Sequence, residues 1–239
     1  MKWLAVIMLV GCEAAGAGGK PAPAPVPRDA LLGSKIEHDT SVRLHMHENF
    51  DLLRAIEKLV VRGRLEEAKA FARSISEAPD EPGLGAFADH AIRVRTRARA
   101  LSQAKTAEDA ARLEAQLAGA CAGCHEAAGV VPEFTTTALQ APADEPTVQA
   151  RMARHLWATD RLWEAIVGGA SEPWQQGLDV LAAAPLDSPL ITGDRMTIAK
   201  RLQQLAETAR MRRGNDTAAD RVRVYGEMLS TCAACHGVP

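Results

Sequence analysis

One five-residue string occurs twice in this chain: Cys121-Ala122-Gly123-Cys124-His125 and Cys232-Ala233-Ala234-Cys235-His236. The two copies lie 111 positions apart, and the segments before them repeat as well. Val42, Met46 and Val60 match Val148, Met152 and Ile166 at an offset of 106, so small insertions account for the difference. A chain built this way is constrained to two related units, each closing on its own cysteine string. Duplication of one ancestral unit is the simplest origin.

The periodicity sets the class of those units. Val42, Met46, Asn49, Leu53, Ile56 and Val60 recur at steps of three and four, as do Val148, Met152, His155, Thr159, Leu162 and Ile166. This is the pattern of a helix with one face against a core. The strings sit on such stripes too: Leu113, Leu117, Cys121 and Cys124, then Val224, Met228, Cys232 and Cys235. No segment alternates as a half-buried strand does. Breakers at Gly63, Pro79 to Gly85, Lys105-Thr106, Gly168-Gly169, Pro185, Pro189 and Gly214-Asn215 separate the stripes. They predict helices over roughly 34–62, 65–76, 84–103 and 107–126, then 145–167, 172–183, 189–211 and 216–236. Abundant alanine favours the same state. The expected fold is all-α: two tandem up-down four-helix bundles, over 31–131 and 145–239, joined by the proline-bearing stretch 132–146.

The string itself carries chemistry. Two thiols three positions apart lie on one side of a helical turn, and each can bond a vinyl group of one porphyrin. The following histidine then reaches the iron as proximal ligand. Cys-x-x-Cys-His therefore reads as an attachment site for c-type haem. Two haem groups are expected, with Cys121, Cys124, Cys232 and Cys235 in thioethers and His125 and His236 on the irons. The competing uses are weaker. A redox dithiol belongs near a βαβ pattern, which is absent. A structural zinc site would need the two distant strings to meet in closed geometry.

The fifth cysteine is Cys12. Lys2 and the apolar run Trp3 to Val10 precede it, forming a charged and then an apolar segment too short to span a bilayer. Residues 1–11 are expected to be a lipoprotein signal peptide, with Cys12 lipidated; the alternative is an ordinary signal peptide cut near Ala14 or Ala17. Residues 12–30, with Gly16 to Gly19 and Pro21 to Pro27, read as a tether. The expected location is the periplasmic side of a bacterial membrane, anchored by lipid.

A formal net charge of −2 gives no bulk attraction to nucleic acid. No paired carboxylates, nucleophile elbow or phosphate loop stands out, so no catalysis is expected. Arg93, Arg95, Arg97 and Arg99 form a basic run that reads as solvated surface, with one arginine free to meet a haem propionate.

A bundle whose last helix ends in Cys-x-x-Cys-His, after a first helix closing in Val60-Val61-Arg62-Gly63, resembles the class II cytochromes c, the cytochrome c′ family. The resemblance covers residues 31–127 and 145–239. It implies that function turns on the iron face opposite the proximal histidine. A methionine there suits electron transfer, and an open face admits a small gas or peroxide. Met46 and Met152 recur in both halves and are the expected sixth ligands. The family's ligand position, one turn further on, falls on Phe50 and Leu156, which cannot bind iron and would leave both faces open. Of the other histidines, His45 and His47 could serve the first haem alone, and His155 could be a distal donor. His38 and His90 have no counterpart in the other half. The expected function is single-electron transfer between redox partner proteins. The alternatives are a binder of nitric oxide or carbon monoxide and a di-haem peroxidase.

Overall fold

The computed structural model describes residues 40–80, 82–134, 137–187 and 191–237. The expected signal peptide, Cys12, the tether and His38 lie outside the described residues. Among those described there are eight α-helices and no strand. The first four are α1 (Thr40–Val61), α2 (Leu65–Glu77), α3 (Ala88–Ser102) and α4 (Ala107–Ala128). The second four are α5 (Val148–Gly168), α6 (Ser171–Ala182), α7 (Gly193–Arg210) and α8 (Ala218–Gly237). The expected third helix begins later than its sequence suggests. Pro82–Phe87 is a 3-10 segment with Gly85 at φ 36°, and α3 starts only at Ala88.

The helices that carry the strings are fixed at their starts by side chains. The Thr106 hydroxyl accepts from the Asp109 N–H at 3.1 Å. Thr217 and Asp220 cap α8 reciprocally, each accepting from the other's N–H at 3.1 Å. Gly129 ends α4 in the left-handed region at φ 66°, where a side chain would be strained. A break there releases the chain directly after the first string.

Within each half, consecutive helices pack against each other, α1 also meets α4, and α5 also meets α8. The most extensive contact joins the halves: α4 lies along α8. The pair is antiparallel. A Cβ on Gly119 would fall 2.7 Å from a Val222 methyl, and one on Gly226 would fall 3.2 Å from Ala115 and from the Arg112 backbone. Small residues let these two helices approach closely. In addition α1 touches α8 and α4 touches α5. Leu53, Ile56, Leu117, Leu162, Trp163 and Leu229 thus belong to one continuous core. The helices of the two repeats share one core rather than forming two separate ones.

The contacts across the seam follow the repeat. Glu57 accepts a hydrogen bond from the Tyr225 hydroxyl at 2.7 Å, and Trp163 Nε1 donates to Glu114 at 3.2 Å. Trp163 is the repeat counterpart of Glu57, and Tyr225 that of Glu114, so donor and acceptor have changed sides. Arg54 and Asp160, also counterparts, are ion-paired to each other. Two halves related by an approximate twofold axis would place such a pair on that axis. No helix among the described residues is long and apolar enough to cross a membrane.

Candidate functional site

Each string lies on the last turns of its helix, so the sites are set by α4 and α8. The α4–α8 register puts His125 opposite the start of α8, and His236 opposite the start of α4. At 1.5 Å per residue the two strings are about 30 Å apart, at opposite ends of the seam. They cannot supply one shared metal site. No group of three or more His, Cys, Asp and Glu side chains among the described residues could hold a metal ion. The shared zinc site therefore loses its geometric basis.

Within a string the thiols face the same side. Burial pushes Cys121 and Cys232 up to about 12, the neighbouring cysteine adding to the effect. Burial also raises Cys124 and Cys235, although Arg93 and Arg195 act in the opposite direction. A thiol–disulfide catalyst needs a thiol with lowered pKa. These thiols are the opposite: protonated, partly covered and paired on one helical face. Thiols raised in this way do not favour exchange.

The histidines are held differently. His125 is half-buried, and its Nδ1 lies 3.2 Å from the Val167 carbonyl oxygen. A carbonyl only accepts, so the proton is on Nδ1 and the Nε2 lone pair is free for a metal. Burial lowers the His125 pKa, and the Val167 bond partly offsets this. The supporting carbonyl comes from α5, in the other half. His236 is exposed, its pKa lowered by burial and by Arg195 and Arg62. Arg62 follows α1, so this histidine too stands at the C-terminal end of the other half's first helix.

The expected sixth ligands lie in the N-terminal half of each first helix. Met46 and Met152 are there, both half-buried. Phe50 is committed elsewhere: it meets Trp163 edge-on at 5.5 Å between centroids and stacks on Phe134 at 6.2 Å. Leu156 is 42% exposed. His155 is half-buried; burial lowers its pKa, and the charges of His236, Arg154 and Arg151 act the same way. It thus faces its own string's histidine. Its repeat counterpart, Asn49, donates to His45 Nε2 at 3.0 Å, which occupies that nitrogen. His47 is exposed. His90 Nδ1 is buried without a hydrogen-bond partner among the described residues.

The arginine run is not a uniform solvated face. Arg95 pairs with Asp80 at 2.5 Å, Arg97 donates to Gln116 at 3.0 Å, and Arg93 lies near Cys124. Arg195 on α7 plays the corresponding part beside Cys235 and His236.

Sequence reading missed the buried polar cluster on the seam. It comprises Arg54, Glu57, Glu114, Asp160, Trp163 and Tyr225. Arg54 binds both Glu57 and Asp160 and lies 5.0 Å over the Trp163 ring. Burial works against the Arg54 charge, yet the two carboxylates outweigh it and hold its pKa above the usual value. The available signal was a carboxylate on each apolar stripe: Glu57 between Leu53 and Val60, and Glu114 between Ala110 and Leu117.

No family, no curated protein and no solved structure matches this chain.

Proposed function

We propose that the protein is an exported di-haem c-type cytochrome that passes single electrons between redox partner proteins at a membrane surface, held there by lipid on Cys12. Cys121 and Cys124 hold one porphyrin through thioethers, and Cys232 and Cys235 hold the other. His125 and His236 are the proximal ligands, with Met46 and Met152 completing the coordination. The single observation that carries this reading is the His125–Val167 bond. It fixes the imidazole as the tautomer a metal requires, on the turn that also presents two paired, protonated thiols.

Bound iron supplies a one-electron ferric–ferrous couple. The chain's own residues do the rest. The close-packed α4–α8 seam fixes the position of each imidazole. The shared core resists rearrangement when charge changes. Arg93 and Arg195 each stand beside the second cysteine of a string, where they can meet a propionate. With the strings at opposite ends of the seam, each centre has its own surface for a partner.

The test is haem content in protein made by a host that matures such cytochromes. Two equivalents of iron porphyrin, retained through acid–acetone extraction, are expected. Replacing Cys121 and Cys124 by Ala is expected to leave one equivalent. Colourless, iron-free protein overturns the reading. The gas-binding alternative is favoured at the first centre by Phe50, which packs in the aromatic cluster at the family's ligand position. A ferrous spectrum that shifts on adding carbon monoxide selects it; a sharp, unresponsive low-spin spectrum selects electron transfer.

A further inference from the structure

The seam cluster holds three carboxyl groups and one guanidinium. Arg54 is shared by Glu57 and Asp160, and Glu57 also accepts from Tyr225. Glu114 is the carboxyl that Arg54 does not bind. It is fully buried, takes one hydrogen bond from Trp163 Nε1, and its Oε2 has no hydrogen-bond partner among the described residues. It also lies two turns before Cys121 on the same face of α4, near enough for its charge to act on that thiol.

We propose that Glu114 is the internal proton acceptor of the first centre: one electron from a partner protein is accompanied by one proton from solvent, which converts the Glu114 carboxylate to the neutral acid. The inference rests on the di-haem reading above. Electron and proton arrive together, so the net charge of the buried region is unchanged, and oxidation releases both. The positive charge of an oxidised centre favours the Glu114 carboxylate; once reduction removes that charge, burial favours the neutral acid.

The groups facing Glu114 agree with this role. From α1 come Glu57 and Arg54, from α5 Trp163 with Asp160 behind Arg54, from α8 Tyr225, and on α4 itself Cys121. Burial, then the Glu57 charge, pushes Glu114 well above the usual carboxylate range, with Arg54 and the Trp163 bond acting only partly against it. The second centre has Tyr225 in the equivalent position, a hydroxyl that donates to Glu57, which Arg54 also binds, so of the three seam carboxyls the one with an unpartnered buried oxygen among the described residues lies on the first string's helix.

The experiment is a spectroelectrochemical titration of the holoprotein across neutral and alkaline pH, for the natural chain and Glu114→Gln. In the natural chain, the potential of one centre is expected to fall by up to about 59 mV for each tenfold drop in proton concentration. That slope is expected to vanish in Glu114→Gln while the other centre is unaffected. Redox-difference infrared spectra of the natural chain give a second readout that needs no variant. They are expected to show a carboxylic-acid C=O band in the reduced state that shifts in heavy water. Haem content is measured on the same sample. Missing haem overturns the functional reading and this inference with it. Two haems with potentials independent of pH, or a slope that persists in Glu114→Gln, overturn the inference alone.

Discussion

His125 and His236 occupy the same place in the repeat, yet the molecule treats them differently. His125 is half-buried and braced by the Val167 carbonyl, whereas His236 is exposed and has arginines for neighbours. The difference continues inward. The first half contributes Glu114, the carboxyl that Arg54 does not bind, and the second offers Tyr225 in its place. Outward, the first half carries Asn49 where the second carries His155. The lesson is that the repeat places the two strings alike, while individual differences on the seam and on the first helices make their environments unlike. The seam is the part common to both, so variants there separate what the halves share from what each keeps to itself.

The largest expected effect comes from Arg54→Met. Removing the guanidinium leaves Glu57 buried, and Asp160 half-buried, without their cation, which costs about 3–5 kcal/mol. Since this pair sits between the halves, both should lose stability together. Denaturant unfolding followed by probes in α2 and in α6 should give coincident transitions for the natural chain and a coincident shift for the variant. A shift confined to one half would show that the continuous core does not couple them.

A smaller, asymmetric effect tests the exchanged donor and acceptor. Tyr225→Phe removes one bond from Glu57, which keeps Arg54; the cost is about 1 kcal/mol. Trp163→Phe removes the one hydrogen bond that Glu114 makes among the described residues and leaves that carboxyl buried without a partner there, at about 1–3 kcal/mol before any cavity cost. The midpoints of urea unfolding at unchanged slope read this difference directly. Equal losses would mean that the two crossings are energetically equivalent and that Glu114 is not the unsatisfied member.

Much of this organisation was legible in the sequence. The breakers Gly63, Lys105-Thr106 and Gly168-Gly169 end or begin helices where expected, because they act through local backbone preference. The strings fall on buried-facing turns because their stripes continue from Leu113 and Val224. The seam was not legible. An apolar stripe records that a face is covered, not by which neighbour, and the stripe of α1 is satisfied by α4 and α8 alike. Gly119 and Gly226 lower helix propensity wherever they stand; only the fold shows that each lies where α4 and α8 touch. Glu57 and Glu114 lie on apolar stripes and were passed over, because their partners come from the other half, beyond the reach of local pattern. The Val167 carbonyl that braces His125 is main chain and leaves no mark in the sequence.

The smallest expected effect concerns His155 and Asn49. Burial, reinforced by His236, Arg154 and Arg151, lowers the His155 pKa in the folded chain. Below its unfolded value of about 6.5, the unfolded chain binds a proton that the folded chain resists. Stability from this group is therefore complete above that pH and is lost as the pH falls through the folded value. His155→Asn, which gives the second half the residue of the first, should flatten that acid loss. Urea midpoints of the natural chain and the variant, compared at neutral and mildly acidic pH, isolate the contribution because every other group is common to both. The string, Met152 and the haem count are unaltered by this change. Parallel pH profiles would mean that His155 opens to solvent on protonation, and that the second half is not distinguished from the first by a histidine held neutral beside its string.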